Sequence, residues 1–134
     1  MSQATDVKND RRYTKDHEWA LAQSGSVTVG ITAFAVDQLG DVTLINWDVA
    51  PGDHVDAGQV FGTIESVKTL SDLFAPISGT VEKLNADLEA APERVNEDCW
   101  DKGWMIVIRA DDPKAVDALL EAKSYSEHIA SLEH

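Results

Sequence analysis

Two strand-like runs around a short polar segment constrain the fold of this chain more than any other feature. They lie in the stretch Gly58–Gly79, which reads GQVFGTIESVKTLSDLFAPISG. The first run alternates, which predicts a strand with two faces, Val60, Gly62 and Ile64 on one and Phe61, Thr63 and Glu65 on the other. The second run, Leu70–Ala75, is typical of a mostly buried strand. The polar segment Ser66–Thr69 joins the two runs, so the stretch predicts a β-hairpin.

Lys68 is the residue that this hairpin would hold at its tip. A lysine amine on its flexible stem is the usual protein nucleophile for amide formation with an activated carboxylic acid, and acylation removes its charge. Glu65, three residues earlier, is a candidate to orient the amine or to help a modifying enzyme recognise the turn. The alternative is an ordinary solvated lysine, which the local pattern alone favours.

The rest of the chain is predicted to be mainly β. Apolar alternation between turn residues predicts further strands at Trp19–Leu21, Ser26–Ile31, Asp41–Trp47, His54–Val55, Gly79–Leu84 and Trp104–Arg109. Thr32 suits a helix N-cap and Gly40 a helix end, which predicts a short helix over Ala33–Leu39. Helical turns interrupted by a proline are expected over Ala86–Arg94, and Pro113 suits the first position of C-terminal helices that cover the core.

Length, charge and cysteine content narrow the class of protein. The 134 residues fit one domain, predicted over 13–134 with C-terminal helices from about residue 113, after a flexible polar tail at 1–12. The net charge of −13 disfavours nucleic-acid and membrane-surface partners because it repels phosphate groups. A single cysteine, Cys99, excludes an intramolecular disulfide and indicates a cytoplasmic protein. Scattered histidines and missing nucleophile motifs predict neither a metal site nor a catalytic site.

Several ordered segments resemble one known family. GTIESVKTLSDLFAPISGTV is similar to the lipoyl-attachment region of the glycine cleavage system H protein family, in which the lysine of an E-S-V-K motif carries lipoic acid. Other blocks resemble the family in the same order, namely YTKDHEW at Tyr13–Trp19, VTVGIT at Val27–Thr32, QLGD at Gln38–Asp41, VNED at Val95–Asp98 and GWMIVI at Gly103–Ile108. The resemblance implies lipoic acid covalently attached to Lys68, with Glu65, Ser66 and Val67 as its flanking motif.

The resemblance also implies a fold and a function. Lipoyl and biotinyl domains are mainly β, flattened sandwiches of the barrel-sandwich hybrid class, here with short helices and a C-terminal helical segment. The implied protein is a carrier that performs no catalysis itself. Its tethered arm presents the cargo to the active sites of separate enzymes at a high effective concentration.

The implied partners act on the arm in turn. In the family, a pyridoxal phosphate glycine decarboxylase passes an aminomethyl group to the arm. A tetrahydrofolate-dependent aminomethyltransferase then removes the carbon unit and releases ammonia, and an FAD-containing dihydrolipoyl dehydrogenase reoxidises the dithiol. A lipoate ligase or a lipoyl/octanoyl transferase is the implied modifying enzyme.

An acidic cleft is the second site that the resemblance implies. An aminomethyl group on the arm is a protonated amine that loses ammonia to water, so its storage requires shielding. The resemblance places Glu18 and Asp72 at such a cleft, with Asp16 where related chains often have serine. Carboxylates can hold an ammonium group by charge-assisted hydrogen bonds while the cleft walls restrict water. By composition alone, these are three of 24 acidic residues on an acidic surface.

Two alternative functions stay open at this stage. A relay carrier that passes lipoyl or octanoyl groups to other lipoyl domains would use the same lysine. A non-lipoylated interaction module would keep the fold, although the intact Glu65–Lys68 motif argues against it. Two segments, Ala33–Val36 and Asn46–Asp48, differ from the usual family pattern, so we expect differences in partner contacts.

Overall fold

The computed structural model describes residues 7–132, which form two antiparallel β-sheets with short helices. The strands are β1 (Arg12–Tyr13), β2 (Glu18–Gln23), β3 (Ser26–Ile31), β4 (Val42–Trp47), β5 (His54–Val55), β6 (Val60–Ser66), β7 (Leu70–Phe74), β8 (Gly79–Leu84) and β9 (Ile106–Ala110). The helices are α1 (Ala33–Leu39), α2 (Asp87–Ala90), α3 (Arg94–Glu97), a 3-10 helix (Pro113–Ala118) and α4 (Ala122–Leu132). The predicted fold class is confirmed.

The core lies between a six-stranded sheet and a three-stranded sheet. The larger sheet has the strand order β1-β2-β3-β9-β8-β5, and the smaller has β4-β6-β7. Their facing side chains belong to one cluster, with Val29 and Ile108 from the larger sheet and Ile45 and Ile64 from the smaller. All four are at most 3% exposed. Full burial of a side chain of this size contributes about 1.5–3 kcal/mol, so this cluster holds the two sheets together.

Local sequence signals set the path from β2 to α1. Ser24 and Gly25 both adopt positive φ, 54° and 87°, as a tight antiparallel hairpin requires. Thr32 caps α1, because its hydroxyl accepts a hydrogen bond from the Ala35 amide at 3.2 Å. Gly40 ends the helix at φ 75°. The predicted bounds of α1 are confirmed.

The lysine hairpin departs from the predicted pattern of faces. The alternation predicts that Phe61 and Ile64 lie on opposite faces of β6. Both residues belong to the same core cluster, however, at 0% and 1% exposure. The pairing of β6 with β7 shifts register between Val60 and Gly62, and this bulge turns Phe61 toward the core. The second strand is also less buried than predicted, because Leu70 at its start is 61% exposed.

Three other segments refine the sequence predictions. The helical turns near Pro92 divide into α2 and α3, and α3 extends to Glu97. The last long strand begins at Ile106, whereas the prediction began it at Trp104. Pro113 does begin a helix, of the 3-10 type, with Asp112 accepting a hydrogen bond from the Lys114 amide at 3.0 Å.

The segment predicted as a flexible tail, residues 1–12, lies partly outside the described residues. Of its described part, Lys8 forms two backbone hydrogen bonds with the Tyr13 hydroxyl, at 2.6 and 2.7 Å. The Arg11 guanidinium lies over the Trp19 ring at 4.6 Å and donates to the Trp100 carbonyl at 3.0 Å. Packing against the domain therefore begins before residue 13, and the prediction for residues 1–6 stays a prediction.

A second apolar cluster attaches α4 to the domain. It contains Tyr13, Trp19, Phe34 and Trp100 with Tyr125 and Ile129 of α4. Tyr125 stacks on Tyr13 with ring centroids 4.7 Å apart and an interplanar angle of 9°. Cys99 is buried in this cluster at 3% exposure, and burial raises the pKa of its thiol to about 12, so the thiol stays protonated. This packing gives Cys99 a structural role.

Candidate functional site: a lysine turn beside an acidic cleft

Lys68 lies in an exposed turn between β6 and β7 whose shape is fixed by one serine. The Ser66 amide donates to the Thr69 carbonyl at 2.8 Å, which closes the turn. The Ser66 hydroxyl accepts hydrogen bonds from the Lys68 and Thr69 amides, both at 3.2 Å. A serine hydroxyl can thus satisfy backbone donors that the turn leaves without strand partners. The turn therefore holds the Lys68 backbone while its side chain remains exposed.

The loop at residues 40–42 packs against the lysine turn and supports it. The Val67 amide donates to the Asp41 carbonyl at 3.0 Å. A Cβ placed on Gly40 would lie 3.3 Å from Lys68 Cε, so the lysine stem runs directly over this glycine. Asn96 fixes the loop through bonds to the Gly40 carbonyl at 2.9 Å and from the Val42 amide at 2.8 Å. The sequence predicts Gly40 as a helix end, and Gly40 and Asn96 lie in the QLGD and VNED segments that resemble the family, but neither is predicted to support the lysine turn.

Exposed apolar side chains surround the turn. Val67 is 66% exposed, Leu70 61% and Leu44 46%. Leu44 and Leu70 both pair in register with Glu65, one on each side, so the three residues form a row across the small sheet. Among residues 7–132, no acidic side chain forms an ion pair with Lys68, and Glu65 therefore does not orient the amine in this structure.

A cleft of about 170 Å³ opens next to the turn, and we call it the acidic cleft. Its walls come from the loop at residues 16–18, from α1 and from the β6–β7 hairpin. Asp16, Glu18 and Asp72 all line it, so the structure brings together the three acids that the resemblance selected. Thr69 lines it too, which makes the cleft contiguous with the lysine turn.

Glu18 is the buried acid of this cleft, at 2% exposure. One carboxylate oxygen accepts a hydrogen bond from the Phe74 amide at 2.7 Å, and the other accepts one from the Thr14 hydroxyl at 3.4 Å. Burial raises the pKa of Glu18 to about 8, although the Phe74 amide opposes the shift. At neutral pH Glu18 is therefore mainly the neutral acid, and a cation placed beside it would favour the ionised form.

Asp16 and Asp72 lie at the mouth of the cleft and are exposed. Asp72 belongs to β7, the edge strand of the small sheet, where it pairs with Thr63. Asp16 lies in the tight loop before β2, and its amide donates to the Thr14 hydroxyl at 3.2 Å. The cleft thus combines two solvated carboxylates with one buried acid, a set of groups suited to a small organic cation.

His17 is a cleft residue that sequence reasoning considered only as a metal ligand. It adopts a φ of 69°, which residues other than glycine rarely do, and it lines the cleft between Asp16 and Glu18. Burial lowers the pKa of its imidazole, and nearby His128 lowers it further. The neutral ring does not repel a cation in the cleft. The sequence signals for His17 are its position between two acidic residues and its place in the YTKDHEW segment that resembles the family.

Two sheets, an exposed lysine at a hairpin tip and an adjoining cleft define a small carrier-type domain. The family model described as "Glycine cleavage H-protein" matches residues 11–132. The chain is 46% identical over 129 residues to the glycine cleavage system H protein of Anaeromyxobacter sp. (strain K), covering 96% of this chain and 99% of that protein. It is 50% identical over 120 residues to the H protein of Magnetococcus marinus, covering 90% and 85%.

A solved structure agrees with this relationship. The crystal structure of a glycine cleavage system H protein from Mycobacterium marinum matches with a TM-score of 0.83 and 36% identity, covering 92% of this chain and 99% of that one. The chain therefore belongs to the glycine cleavage H-protein family. As a member of that family it is a non-catalytic carrier component of the glycine cleavage system. Within the part of the chain described here, no helix is long and apolar enough to cross a membrane.

Proposed function

We propose that the protein carries lipoic acid on Lys68 and transfers the aminomethyl group of glycine from glycine decarboxylase to aminomethyltransferase. The observation that carries the proposal is the exposed Lys68 side chain on a turn that Ser66 and the Asp41 carbonyl hold in place. An amine with no ion pair among the described residues is available for acylation, and a fixed backbone presents it in one orientation.

The surroundings of Lys68 fit a lipoyl arm. The lysine stem lies over Gly40, where any larger residue would crowd it, and the turn continues directly into the cleft wall at Thr69. When bound, the lipoyl group would supply a disulfide whose reductive opening lets one sulfur take the aminomethyl carbon while the other becomes a thiol. Everything else required of this chain is to present the arm and to shield its cargo.

The acidic cleft supplies the shielding in this proposal. An ammonium group entering the cleft meets Asp16 and Asp72 at the mouth and Glu18 inside. Because burial raises the pKa of Glu18 to about 8, entry of the cation would release the Glu18 proton and form a charge-assisted pair away from bulk water. Replacing Glu18 with alanine should shorten the lifetime of the aminomethyl-loaded protein, and an unchanged lifetime would remove the cleft from the proposal.

The partners follow from the same proposal. They are pyridoxal phosphate-dependent glycine decarboxylase, tetrahydrofolate-dependent aminomethyltransferase, FAD-containing dihydrolipoyl dehydrogenase, and a lipoate ligase or lipoyl/octanoyl transferase. The net charge of −13 favours encounters with basic patches on these enzymes. We place the carrier in the cytoplasm, in agreement with a single, buried cysteine.

The test begins with the intact mass and peptide map of the protein after incubation with a lipoate ligase, lipoate and ATP. Lys68→Arg, which keeps the positive charge, is the control. We expect lipoyl addition confined to Lys68 and absent from the variant. No addition to the folded wild-type protein would overturn the proposal in favour of an interaction module.

Reconstitution with the partner enzymes then separates shuttle from relay. Glycine-dependent CO₂ release that requires lipoylated protein supports the shuttle. Lipoylation without such release, together with transfer of the acyl group to another lipoyl domain, would support the relay carrier instead.

A further inference from the structure

Tyr125 of the C-terminal helix α4 contacts both walls of the acidic cleft without lining it. Its side chain is 0% exposed. Its hydroxyl oxygen lies 2.9 Å from His17 Nδ1 and 2.7 Å from Thr32 Oγ1. His17 belongs to the loop wall of the cleft, and Thr32 caps α1, the helix that forms a second wall. One buried hydroxyl therefore adds a side-chain link between two segments that a backbone hydrogen bond, from the Thr32 amide to the His17 carbonyl, also joins.

The bond to His17 acts on the loop that carries Glu18. His17 holds a left-handed backbone conformation, which costs energy for a residue with a side chain and persists only where neighbouring contacts fix it. Two of those contacts are the backbone bond from the Thr32 amide to the His17 carbonyl, at 3.0 Å, and the Tyr125 hydroxyl. Loss of the hydroxyl removes the hydrogen bond of the His17 side chain, next to Glu18.

The bond to Thr32 acts on α1. The Thr32 hydroxyl accepts from the Ala35 amide at 3.2 Å, and it has one proton and one further acceptor site for Tyr125. Ala35 lines the cleft, as do Gln38 and Leu39 one turn later. A buried hydroxyl from α4 therefore contacts the residue that caps the start of this helix.

Tyr13 provides an internal comparison. It is also 0% exposed and stacks on Tyr125, but its hydroxyl bonds to the backbone of Lys8, away from the cleft. Both tyrosines pack in the same apolar cluster, but their hydroxyls form hydrogen bonds with different groups. Removing each hydroxyl separately distinguishes an effect on the cleft from a general loss of stability.

We infer that Tyr125 is a positioning residue whose hydroxyl holds the two walls of the acidic cleft at the separation that shields the cargo of the arm. The inference rests on the proposed shuttle function and adds α4 to the machinery of the cleft. The helix α4, which covers the second apolar cluster, thus also sets the lifetime of the aminomethyl-loaded arm.

The experiment compares Tyr125→Phe with Tyr13→Phe at a temperature where thermal melts show both variants folded. In the unmodified proteins, amide hydrogen exchange at Thr32 and Ala35 reports whether the walls are held. In the lipoylated proteins, the release of ammonia measures the lifetime of the aminomethyl-loaded form. For Tyr125→Phe we expect both amides to exchange faster and the lifetime to fall about three- to tenfold, as the loss of a buried hydrogen bond would produce. Tyr13→Phe should leave both unchanged.

Thr32→Ser and Thr32→Val form a second matched pair. Serine keeps the hydroxyl and should retain the wild-type lifetime, whereas valine should shorten it as Tyr125→Phe does. Equal effects of the two tyrosine variants, or an unchanged lifetime in Tyr125→Phe, would overturn the inference. If the wild-type protein cannot be loaded, the proposed function fails, and the exchange rates alone decide whether Tyr125 holds the walls.

Discussion

The lysine turn is made by consecutive residues, 66–69, whereas the acidic cleft beside it is made by three separate segments of the chain. In the turn, one serine hydroxyl accepts hydrogen bonds from neighbouring amides, and the Lys68 side chain is exposed. In the cleft, Glu18 is buried and bonded to Phe74, 56 residues away. A substitution in a local site can leave the folding free energy unchanged, whereas a substitution in a site assembled from distant segments changes it.

Lys68→Arg is the strongest test of that difference. We expect a complete loss of lipoylation, because a guanidinium does not form the amide. The melting temperature should stay within about 2 °C of wild type, since exposed substitutions usually change stability by no more than about 0.5 kcal/mol. Mass spectrometry and thermal unfolding measure the two effects. A large fall in melting temperature would show that the turn is part of the structural core.

Glu18→Gln tests the acidic cleft through the pH dependence of the free energy of unfolding. The folded protein keeps a proton on Glu18 up to about pH 8, whereas the unfolded chain releases it near the ordinary value of 4.5. The stability from Glu18 is therefore full below pH 4.5 and is lost as pH rises through 8, at up to about 1.4 kcal/mol per pH unit. Glutamine does not titrate, so the variant should gain stability relative to wild type over this range.

Urea unfolding at pH 5, 6, 7 and 8 measures this difference. Glu89→Gln makes the same substitution at an exposed position on α2 and should keep the wild-type pH dependence of stability. Parallel curves for wild type and Glu18→Gln would mean that Glu18 is not held as a buried neutral acid.

The same division between local and distant explains what the sequence could predict. The helix α1 follows from Thr32 and Gly40, and the lysine turn follows from polarity between two runs, because each signal lies within a few residues. The alternation predicts the wrong face for Phe61 because the bulge there depends on the pairing of β6 with β7. The local sequence pattern carries no information on that pairing. The roles of Asn96 and Tyr125 depend on contacts with residues 54 and 93 positions away. Resemblance, not pattern, selected the three acids of the cleft.

Gly40→Ala tests a residue that lies between the two sites, because Gly40 ends α1 of the cleft wall and contacts the Lys68 stem. Gly40 has φ 75° and ψ −153°, a conformation that is almost restricted to glycine, so alanine should cost about 1–3 kcal/mol of folding free energy. The new Cβ would also lie 3.3 Å from Lys68 Cε and displace the lysine stem, so we expect lipoylation to slow several-fold. Both effects are measured on one preparation, by urea unfolding and by the initial rate of mass increase.

Gly58→Ala is the matched control for this change. Gly58 also has a positive φ, 87°, but a Cβ there would meet nothing within 4 Å. It should lose stability and keep the wild-type lipoylation rate. Equal lipoylation rates in the two variants would mean that Gly40 serves the backbone alone.

Leu70→Ser carries the smallest expected effect. Leu70 is 61% exposed at the start of β7, so its removal should change stability by no more than about 0.5 kcal/mol. If Lys68 is acylated as proposed, the enzyme must bring its acyl group to the amine and would contact the side chains around the turn. We expect kcat/KM for lipoylation to fall about two- to fivefold, the effect of one peripheral apolar contact. Leu132→Ser, at a 50% exposed leucine of α4, should leave the rate unchanged. If both serine variants are lipoylated at the wild-type rate, the acylating enzyme recognises the turn through its backbone and Lys68 alone.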